Sequence, residues 1–384
     1  MADKYLVQPD VEFINEIRVT GGESLKKCFQ CATCSVACPI APDRKPFPRK
    51  EMIAASWGLK DKLLADPDIW LCHNCGDCST ECPRGAKPGD VLAAIRMMAI
   101  KEYATPKSIA NAVNDKKKLP LLAAVPAIVF IVLGLLTGLL DFSPELNAHG
   151  EIAHAQFFST WLVDLVFIPL SIWAVAVFAL GLKRFIGDIH KNAVAEGKTD
   201  KESIDTKGFL SALVRVIPKI LNHRQFSECS ENNDRATPHM MVLFSFIGLL
   251  IVTAVFFITL YVFGIHGPYS QLHPIKILAN VSGIALIIGG ALLIKQRMDK
   301  TDEVSTYKDW YLLWLVLGLG VTGMLAELTR LADAAFLTYL IYFIHLMMVF
   351  HLIAFLPFSK LAHLVYRTVA MAYNEYSGRE IKKI

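Results

Sequence analysis

Eight of the nine cysteines fall in two short runs before residue 83, and their spacing points to metal chemistry. The runs are CFQCATCSVACP (28–39) and CHNCGDCSTECP (72–83), which both read C-x2-C-x2-C-x3-C-P. This spacing is typical of proteins with two [4Fe–4S] clusters, in which the fourth cysteine of each run ligates the other run's cluster. The predicted ligand sets are Cys28, Cys31, Cys34 and Cys82 for the first cluster and Cys72, Cys75, Cys78 and Cys38 for the second.

Two other uses of these cysteines fit less well. The opening residues MADKYLVQPDVEFINEIRV include early acids and no continuous apolar stretch, so we expect no secretory signal and a cytoplasmic N-terminal part. Disulfides are rare in that reducing compartment. Structural zinc sites usually combine two cysteine pairs across a long gap. Cys229 has no cysteine near it in the sequence, and we expect it to be a lone reduced thiol on the cytoplasmic side.

Ten of the eleven histidines follow residue 140, in the most apolar part of the chain. Ionisable side chains within membrane spans are costly and suggest function, and histidine is an axial ligand of haem. His345 and His363 are 18 residues apart. On one continuous helix they would share a face and be separated by ~27 Å, close to the thickness of the hydrocarbon core. We predict one b haem between His239 and His363 at the cytoplasmic edge, and a second on His345 nearer the outside.

The partner of His345 is harder to assign from the sequence. We favour His273, at the start of the fourth apolar run, with His266 and His154 as alternatives. His351 is expected to be a hydrogen-bonded packing residue, and His190 and His223 are expected to be solvated in a cytoplasmic loop. Glu327, Arg330 and Lys276 are the outer-side candidates for a quinone site.

The elements that would position these residues are helical. The chain is 54% hydrophobic yet 19% charged, which favours a soluble part joined to a membrane part. We predict an iron–sulfur domain over 1–118 and a membrane domain over 119–384, within an all-α fold. Six apolar runs are long enough to span a bilayer, at about 120–140, 157–182, 240–263, 275–296, 310–329 and 334–356.

The distribution of basic residues predicts the orientation of these spans. Lys and Arg are frequent in the junction at 114–120, the loop 183–239 and the loop 297–309, whereas the segment 141–156 has neither. Because basic loops stay in the cytoplasm, both termini and the cysteine domain should lie there, in a multi-pass protein of the inner membrane. Within the long loop, residues 208–226 look basic and amphipathic, which fits either a helix on the membrane surface or a solvated linker.

The cysteine motifs, with the surrounding DIWLCHNCGDCSTECPRG, resemble the small C-type iron–sulfur subunit of heterodisulfide reductases, which has an α-helical ferredoxin fold. The segment HLMMVFHLIAFLPFSKLAH resembles the E-type cytochrome b subunit of heterodisulfide reductases and the nitrate reductase gamma subunit. That gamma family takes two haem ligands from this segment and two from one earlier helix. Here only His239 matches the earlier pair, since Leu249 stands ten residues later.

The order of the two modules is similar to the C-type subunit of the quinone-interacting membrane-bound oxidoreductase (Qmo) complexes of sulfate reducers. This resemblance implies two haem b groups, menaquinone as the membrane substrate, and flavin and iron–sulfur partner subunits like Qmo A and B. It also implies electron delivery to adenosine-5′-phosphosulfate reductase. Two alternatives remain: a heterodisulfide reductase-type membrane unit, and a membrane-anchored ferredoxin without haem. An ion transporter is less favoured, because Asp164 and Glu327 lie near span ends.

Overall fold

The computed structural model describes residues 8–141, 146, 150–223, 228–300 and 304–379. Over these residues the regular structure is helical, with one isolated antiparallel bridge between Leu140 and Phe158. The predicted all-α class is confirmed. The helices of the first 118 residues are α1 (Val11–Ile17), α2 (Thr33–Ala37), α3 (Arg49–Ser56), α4 (Lys60–Leu64), α5 (Asp68–Leu71), α6 (Asp77–Thr80), α7 (Pro88–Tyr103) and α8 (Lys107–Val113).

Six later helices are long and apolar enough to cross a membrane, as predicted. The helices after residue 118 are α9 (Leu119–Thr137), α10 (His154–Phe157), α11 (Thr160–Ala195), α12 (Thr206–Leu221), α13 (Ala236–Tyr261), α14 (Pro274–Asp299), α15 (Tyr307–Leu331), α16 (Ala335–Phe355) and α17 (His363–Tyr376). The spans are α9, α11 and α13 to α16. Their outer faces expose large apolar side chains such as Trp161, Val175 and Leu250, which suits contact with lipid.

The spans pack mainly against their neighbours in the chain. Contacts run from α13 to α14, from α14 to α15 and from α15 to α16, and α16 also touches α9 and α11. Gly248 lets α13 approach α14, because a Cβ at this position would clash with the hydroxyl of Ser282. This arrangement brings residues of α15 and α16 close together within the bundle.

Helix α11 extends beyond the membrane part. Its 36 residues correspond to about 54 Å at 1.5 Å per residue, which exceeds a hydrocarbon core of ~30 Å. The excess lies at its carboxyl end, where Phe185, Ile189 and Ala193 are buried in the core that surrounds the cysteine runs. The α11 helix therefore connects the membrane bundle rigidly to the iron–sulfur part.

The sixth span and the C-terminal helix are two helices, so the separation of His345 and His363 calculated for one continuous helix does not apply; the break falls at Pro357, where the sequence indicates a kink. Helix α16 ends at Phe355, and two 3-10 turns, Leu356–Phe358 and Lys360–Ala362, precede α17. Pro357 lies in the first turn, and because it has no amide N–H it cannot donate the hydrogen bond that would continue α16. His363 thus begins a new helix, separate from the one that carries His345.

Helix α12 accounts for most of the predicted amphipathic segment, of which residues 224–226 lie outside the described ranges. It packs against α17, with Ala212 and Val216 fully buried. Leu210, Val214 and Ile217 are exposed on the helix.

One hydrophobic core includes residues from both sides of the predicted boundary at 118. The Trp70 ring stacks on Tyr366 of α17 at 5.3 Å and meets Phe185 of α11 edge-on at 5.9 Å. Beside it, buried Lys198 lies 2.6 Å from Asp66 and 3.3 Å from Asp68. Arg379 also binds Asp68, through two nitrogens at 2.6 and 3.1 Å. The segment that leads into the second cysteine run is therefore fixed by residues from distant parts of the chain.

Candidate iron–sulfur and haem centres

The first predicted ligand set surrounds one pocket. Cys28, Cys31 and Cys34 line it together with Cys82, which comes from the second run. Burial, followed by the neighbouring Cys28 and Cys31 sulfurs, raises the pKa of Cys34 to about 11. Thiols that raise one another's pKa in this way are favourable ligands for a cationic iron core, because the metal supplies the compensating charge.

The second predicted set is also brought together. Burial, followed by the Cys72 sulfur, raises the pKa of Cys38 to about 12, with a smaller contribution from Cys75. Burial likewise raises the pKa of Cys78, with contributions from Cys72 and Cys38. Cys38, the fourth cysteine of the first run, therefore lies among the first three of the second run.

The two cysteine loops have the same backbone conformation. Gln30 and Ala32 have φ values of 63° and 72°, and Asn74 and Gly76, at the equivalent positions, have 55° and 104°. In the second loop the Asn74 amide donates to the Cys72 sulfur at 3.3 Å. Left-handed turns of this kind direct amide groups toward a concave site that suits an anion. The donor set, its burial and these loops all fit cubane clusters.

The surroundings of the two sets differ. Cys31 is exposed, and the neighbouring Phe29 ring is 67% exposed with the Arg84 guanidinium 4.0 Å above it. Cys72 and Cys78 are buried. The second set is covered by α17 and by the segment 229–232, which both belong to the membrane part.

Arg367, one turn into α17, contacts the start of the second cysteine run. It donates to the carbonyls of Leu71 at 3.3 Å and Cys72 at 3.2 Å, and its contact with His73 Nε2 is 2.8 Å. Arg96 also donates to the Cys72 carbonyl, at 3.3 Å. Burial, together with the charge of Arg96, lowers the pKa of Arg367 to about 10. It remains cationic at neutral pH and places positive charge beside this site.

The segment before α13 covers the other side of the second set, and the expectation that Cys229 is a lone thiol is wrong. The Cys229 sulfur, the Cys75 sulfur and a carboxylate oxygen of Asp77 lie within 4.8 Å of one another. The hydrogen bond between the thiols lowers the pKa of Cys75 and raises that of Cys229. Asp77 accepts from the Glu231 amide at 2.8 Å, and Asn232 donates to the Cys75 carbonyl at 2.6 Å.

Three histidines meet near the N-terminal end of α13. His239 Nδ1 is 2.8 Å from His223 Nε2, and His363 Nδ1 is 2.7 Å from the Lys360 carbonyl. Burial lowers the pKa of His363 to about 3, and the charges of His239 and Arg367 contribute. The predicted pair His239 and His363 is therefore brought together. The prediction that His223 is solvated is wrong, because its side chain is buried against His239.

The outer histidines differ from one another in burial and in their partners. His345 Nδ1 is 2.9 Å from the Thr322 hydroxyl, and its ring lies against Gly323. His273 is exposed at the N-terminal end of α14, where its ring packs beside Tyr269. His154 Nε2, by contrast, is buried and has no hydrogen-bond partner among the described residues.

The surroundings of His154 also include the outer-side candidates for the quinone site. Burial lowers the pKa of His154 to about 4, and the charges of Arg330, Lys276 and His345 lower it further. Glu327 joins these cations: its carboxylate lies 2.7 Å from Lys276 and 2.9 Å from Arg330. The three candidates therefore form one ionic cluster close to His154.

Two remaining histidines have structural partners. His351 is buried and bonds to the Tyr311 hydroxyl at 2.6 Å, as predicted for a packing residue. His190, predicted to be solvated, is instead buried, with its Nδ1 2.8 Å from the Tyr373 hydroxyl. The two corrections have different causes: His190 lies on the long helix α11, which packs against α17, whereas His223 lies after α12 and meets α13.

Comparison with known proteins is informative for the cysteine region. Residues 24–86 match the model of the 4Fe-4S dicluster domain. The chain is 42% identical over 93 residues to the C-type subunit of the H(2):CoB-CoM heterodisulfide,ferredoxin reductase of Methanothermobacter marburgensis, covering 24% of this chain and 50% of that protein. It is 39% identical over 89 residues to a protein of Archaeoglobus profundus that is itself described as similar to the C-type heterodisulfide reductase subunits, covering 23% and 47%.

A third relative is the C-type subunit of the ferredoxin:CoB-CoM heterodisulfide reductase of Methanosarcina acetivorans, 31% identical over 86 residues, or 22% of this chain and 34% of that protein. The chain spans half or less of the length of these curated relatives. The N-terminal part is thus similar to heterodisulfide reductase C-type iron–sulfur subunits, as the sequence motifs predicted, and it is followed by a multi-pass membrane part.

Proposed function

We propose that this chain is the membrane subunit of a respiratory oxidoreductase complex that passes electrons between menaquinone and cytoplasmic flavin and iron–sulfur subunits. Two [4Fe–4S] clusters on the eight cysteines and two b haems on membrane histidines would serve as one-electron carriers. The likeness to heterodisulfide reductase subunits supports the iron–sulfur half. The buried histidines of the spans support the haem half.

The observation that carries this proposal is the placement of α17. Its first residue, His363, lies in the inner histidine cluster, and Arg367, one turn later, donates to the Cys72 carbonyl. The proposed haem ligand His363 is therefore one helical turn from Arg367. The Arg367 side chain in turn binds the backbone of the proposed cluster ligand Cys72. Such a short rigid connection suits electron exchange between the second cluster and an inner haem.

For the inner haem we propose His239 and His363 as ligands. Each already engages its Nδ1, with His223 and with the Lys360 carbonyl respectively. The Nε2 atoms would therefore be the ones available to a haem iron, and the Nδ1 partners would fix the ring orientations. His223 would be an orienting residue.

For the outer haem we propose His345, whose Nδ1 is engaged by Thr322. As its partner we now favour His154 over His273. The His154 Nε2 is buried without a partner among the described residues, whereas His273 is exposed. The cluster of Glu327, Lys276 and Arg330 is then the proposed region for the quinone head group, since a quinone needs hydrogen-bond donors beside a haem.

The resemblance to the Qmo complexes suggests the wider setting. Partners like the Qmo A and B proteins, with delivery to adenosine-5′-phosphosulfate reductase, are part of the proposal, as is an inner-membrane location with cytoplasmic termini. A heterodisulfide reductase-type membrane unit is the second candidate, and it is favoured by the names of the similar proteins.

Spectroscopy of the purified full-length chain tests the proposal. We expect a b-type haem absorbance on reduction and the electron paramagnetic resonance (EPR) signals of two [4Fe–4S] clusters. A menaquinol analogue should reduce both kinds of centre. Clusters without haem would leave a membrane-anchored ferredoxin. Haem that a menaquinol analogue cannot reduce would favour the heterodisulfide reductase-type unit.

A further inference from the structure

Cys229 occupies a specific place that the two-quartet motif does not explain. It lies between α12 and α13, about 150 residues from the second cysteine run in sequence, yet it is only 3% exposed. Its sulfur lies within 4.8 Å of the sulfur of Cys75 and of the Asp77 carboxylate. The two thiols are hydrogen-bonded to each other.

The segment that carries Cys229 is tied directly to the loop that it contacts. Asp77 accepts from the Ser230 amide at 3.3 Å and the Glu231 amide at 2.8 Å. Asn232 donates to the carbonyl of Cys75 itself at 2.6 Å. A small buried residue that filled space would need none of these bonds, so the segment holds the thiol against Cys75.

In the first quartet, a different hydrogen-bond donor lies beside the equivalent cysteine. Cys31 is the counterpart of Cys75, and Thr33 is the counterpart of Asp77. The Thr33 hydroxyl lies 3.4 Å from the Cys31 sulfur, where it can donate a hydrogen bond. A carboxylate cannot donate, so Asp77 cannot serve Cys75 in this way. Instead Asp77 binds the backbone of the segment that brings a thiol donor.

The direction of the bond follows from the roles of the two sulfurs. Cys75 belongs to a quartet, and as an iron ligand it is a thiolate that can only accept. Cys229 stands outside both quartets and beside a carboxylate, so it stays a neutral thiol and donates. Hydrogen bonds to the sulfurs of an iron–sulfur cluster are one of the factors that set its reduction potential, because they stabilise the more negative, reduced state.

We propose that Cys229 is a positioning residue that donates an S–H···S hydrogen bond to Cys75 and raises the reduction potential of the second cluster. This inference rests on the proposed function, since it requires a cluster on Cys38, Cys72, Cys75 and Cys78. It makes the membrane part a contributor to the redox properties of the cluster nearest to it.

The test is an EPR-monitored redox titration of the full-length protein with Cys229→Ala and Cys229→Ser, and with Thr33→Val as the matched variant of the first quartet. Cys229→Ala should lower the midpoint potential of one cluster, and Cys229→Ser, which keeps an O–H donor, should restore part of the shift. Thr33→Val should lower the potential of the other cluster. Iron content should stay at the wild-type level in all three.

Several outcomes would overturn the inference. Unchanged potentials in both Cys229 variants would refute it while leaving the proposed function intact, as would equal shifts in the alanine and serine variants. A wild-type protein without cluster signals would refute both. If the variants lose iron, pulsed EPR of the wild type in D2O decides: an exchangeable proton in addition to that of the Asn74 amide on Cys72 should be coupled to the second cluster, and its absence contradicts the donor role.

Discussion

The two cysteine quartets share their spacing, their pair of left-handed positions and the exchange of their fourth cysteine, but they lie in different surroundings. The first opens to the surface at Cys31, beside the exposed Phe29 and Arg84. The second is enclosed by α17 and the segment 229–232. The repeated motif thus determines how the four thiols of each site come together. Residues far away in sequence determine whether each site is exposed to solvent or covered by the membrane part.

This difference suggests an order for the proposed centres. Arg367 donates to the Cys72 carbonyl and follows His363 by one turn of α17, so the second quartet is the natural neighbour of the proposed membrane centres. The first quartet, with an exposed sulfur and an exposed aromatic ring, is the natural neighbour of a soluble partner. Substitutions in the two regions test this difference.

Cys82→Ala should abolish the first cluster and leave the second largely intact, although Cys82 belongs to the second run. The reason is that Cys82 lines the pocket of Cys28, Cys31 and Cys34. About half of the iron should be lost, as measured by iron analysis and EPR, and Cys38→Ala should give the complementary pattern. Loss of the second cluster in Cys82→Ala would reverse the ligand exchange.

His363→Ala should remove the inner haem while both clusters remain, because the cysteine ligands are untouched. The measurement is the b-haem absorbance per mole of protein together with cluster EPR. His190→Ala is the matched control, since His190 is also buried but bonds to the Tyr373 hydroxyl and is not a proposed haem ligand. Retention of full haem absorbance in His363→Ala would exclude this residue as a ligand.

Arg367→Gln should slow reduction of the second cluster by a menaquinol analogue and lower the melting temperature. The shorter side chain leaves the buried Leu71 and Cys72 carbonyls without this donor, which costs about 1–3 kcal/mol. Arg215→Gln, at an exposed arginine on α12, is the control and should change neither quantity. An unchanged reduction rate would contradict the assigned order of centres.

Glu196→Gln should have the smallest effect, and one that depends on pH. Burial alone would raise the pKa of Glu196, but Lys198 and Lys50 hold it at about 2, below its usual value of 4.5. The ionised group therefore stabilises the fold above about pH 4.5, and this contribution is lost as the pH falls toward 2. The melting-temperature difference between wild type and variant should shrink over that interval; a constant difference would indicate a packing effect.

Local pattern was enough to predict much of the molecule. The cysteine spacing indicated the dicluster domain because thiols two and three residues apart can converge on one metal core. The six spans followed from apolar runs about 20 residues long. Both features depend on residues that are close in sequence, and His351 was recognised as a packing residue from its position on the helix.

Long-range contacts could not be predicted in the same way. Nothing near Cys229 in sequence indicates that it meets Cys75, and nothing near His223 indicates His239. The break before α17 had a local signal in Pro357, but its size and direction depend on how α17 packs against Trp70 and α12. The residue pattern identified candidate cysteines and histidines for these sites. Which of them come into contact depends on the tertiary packing.

The stacking of Tyr366 on Trp70 joins two parts of one polypeptide. If the iron–sulfur part were a separate polypeptide, this interface would have to hold two molecules together by its own affinity. The complex would then dissociate on dilution. Covalent linkage instead keeps the two faces at an effective concentration of roughly millimolar or above. Docking of the two parts is then independent of how much protein the cell makes, and every copy of the membrane part has its own iron–sulfur part beside it.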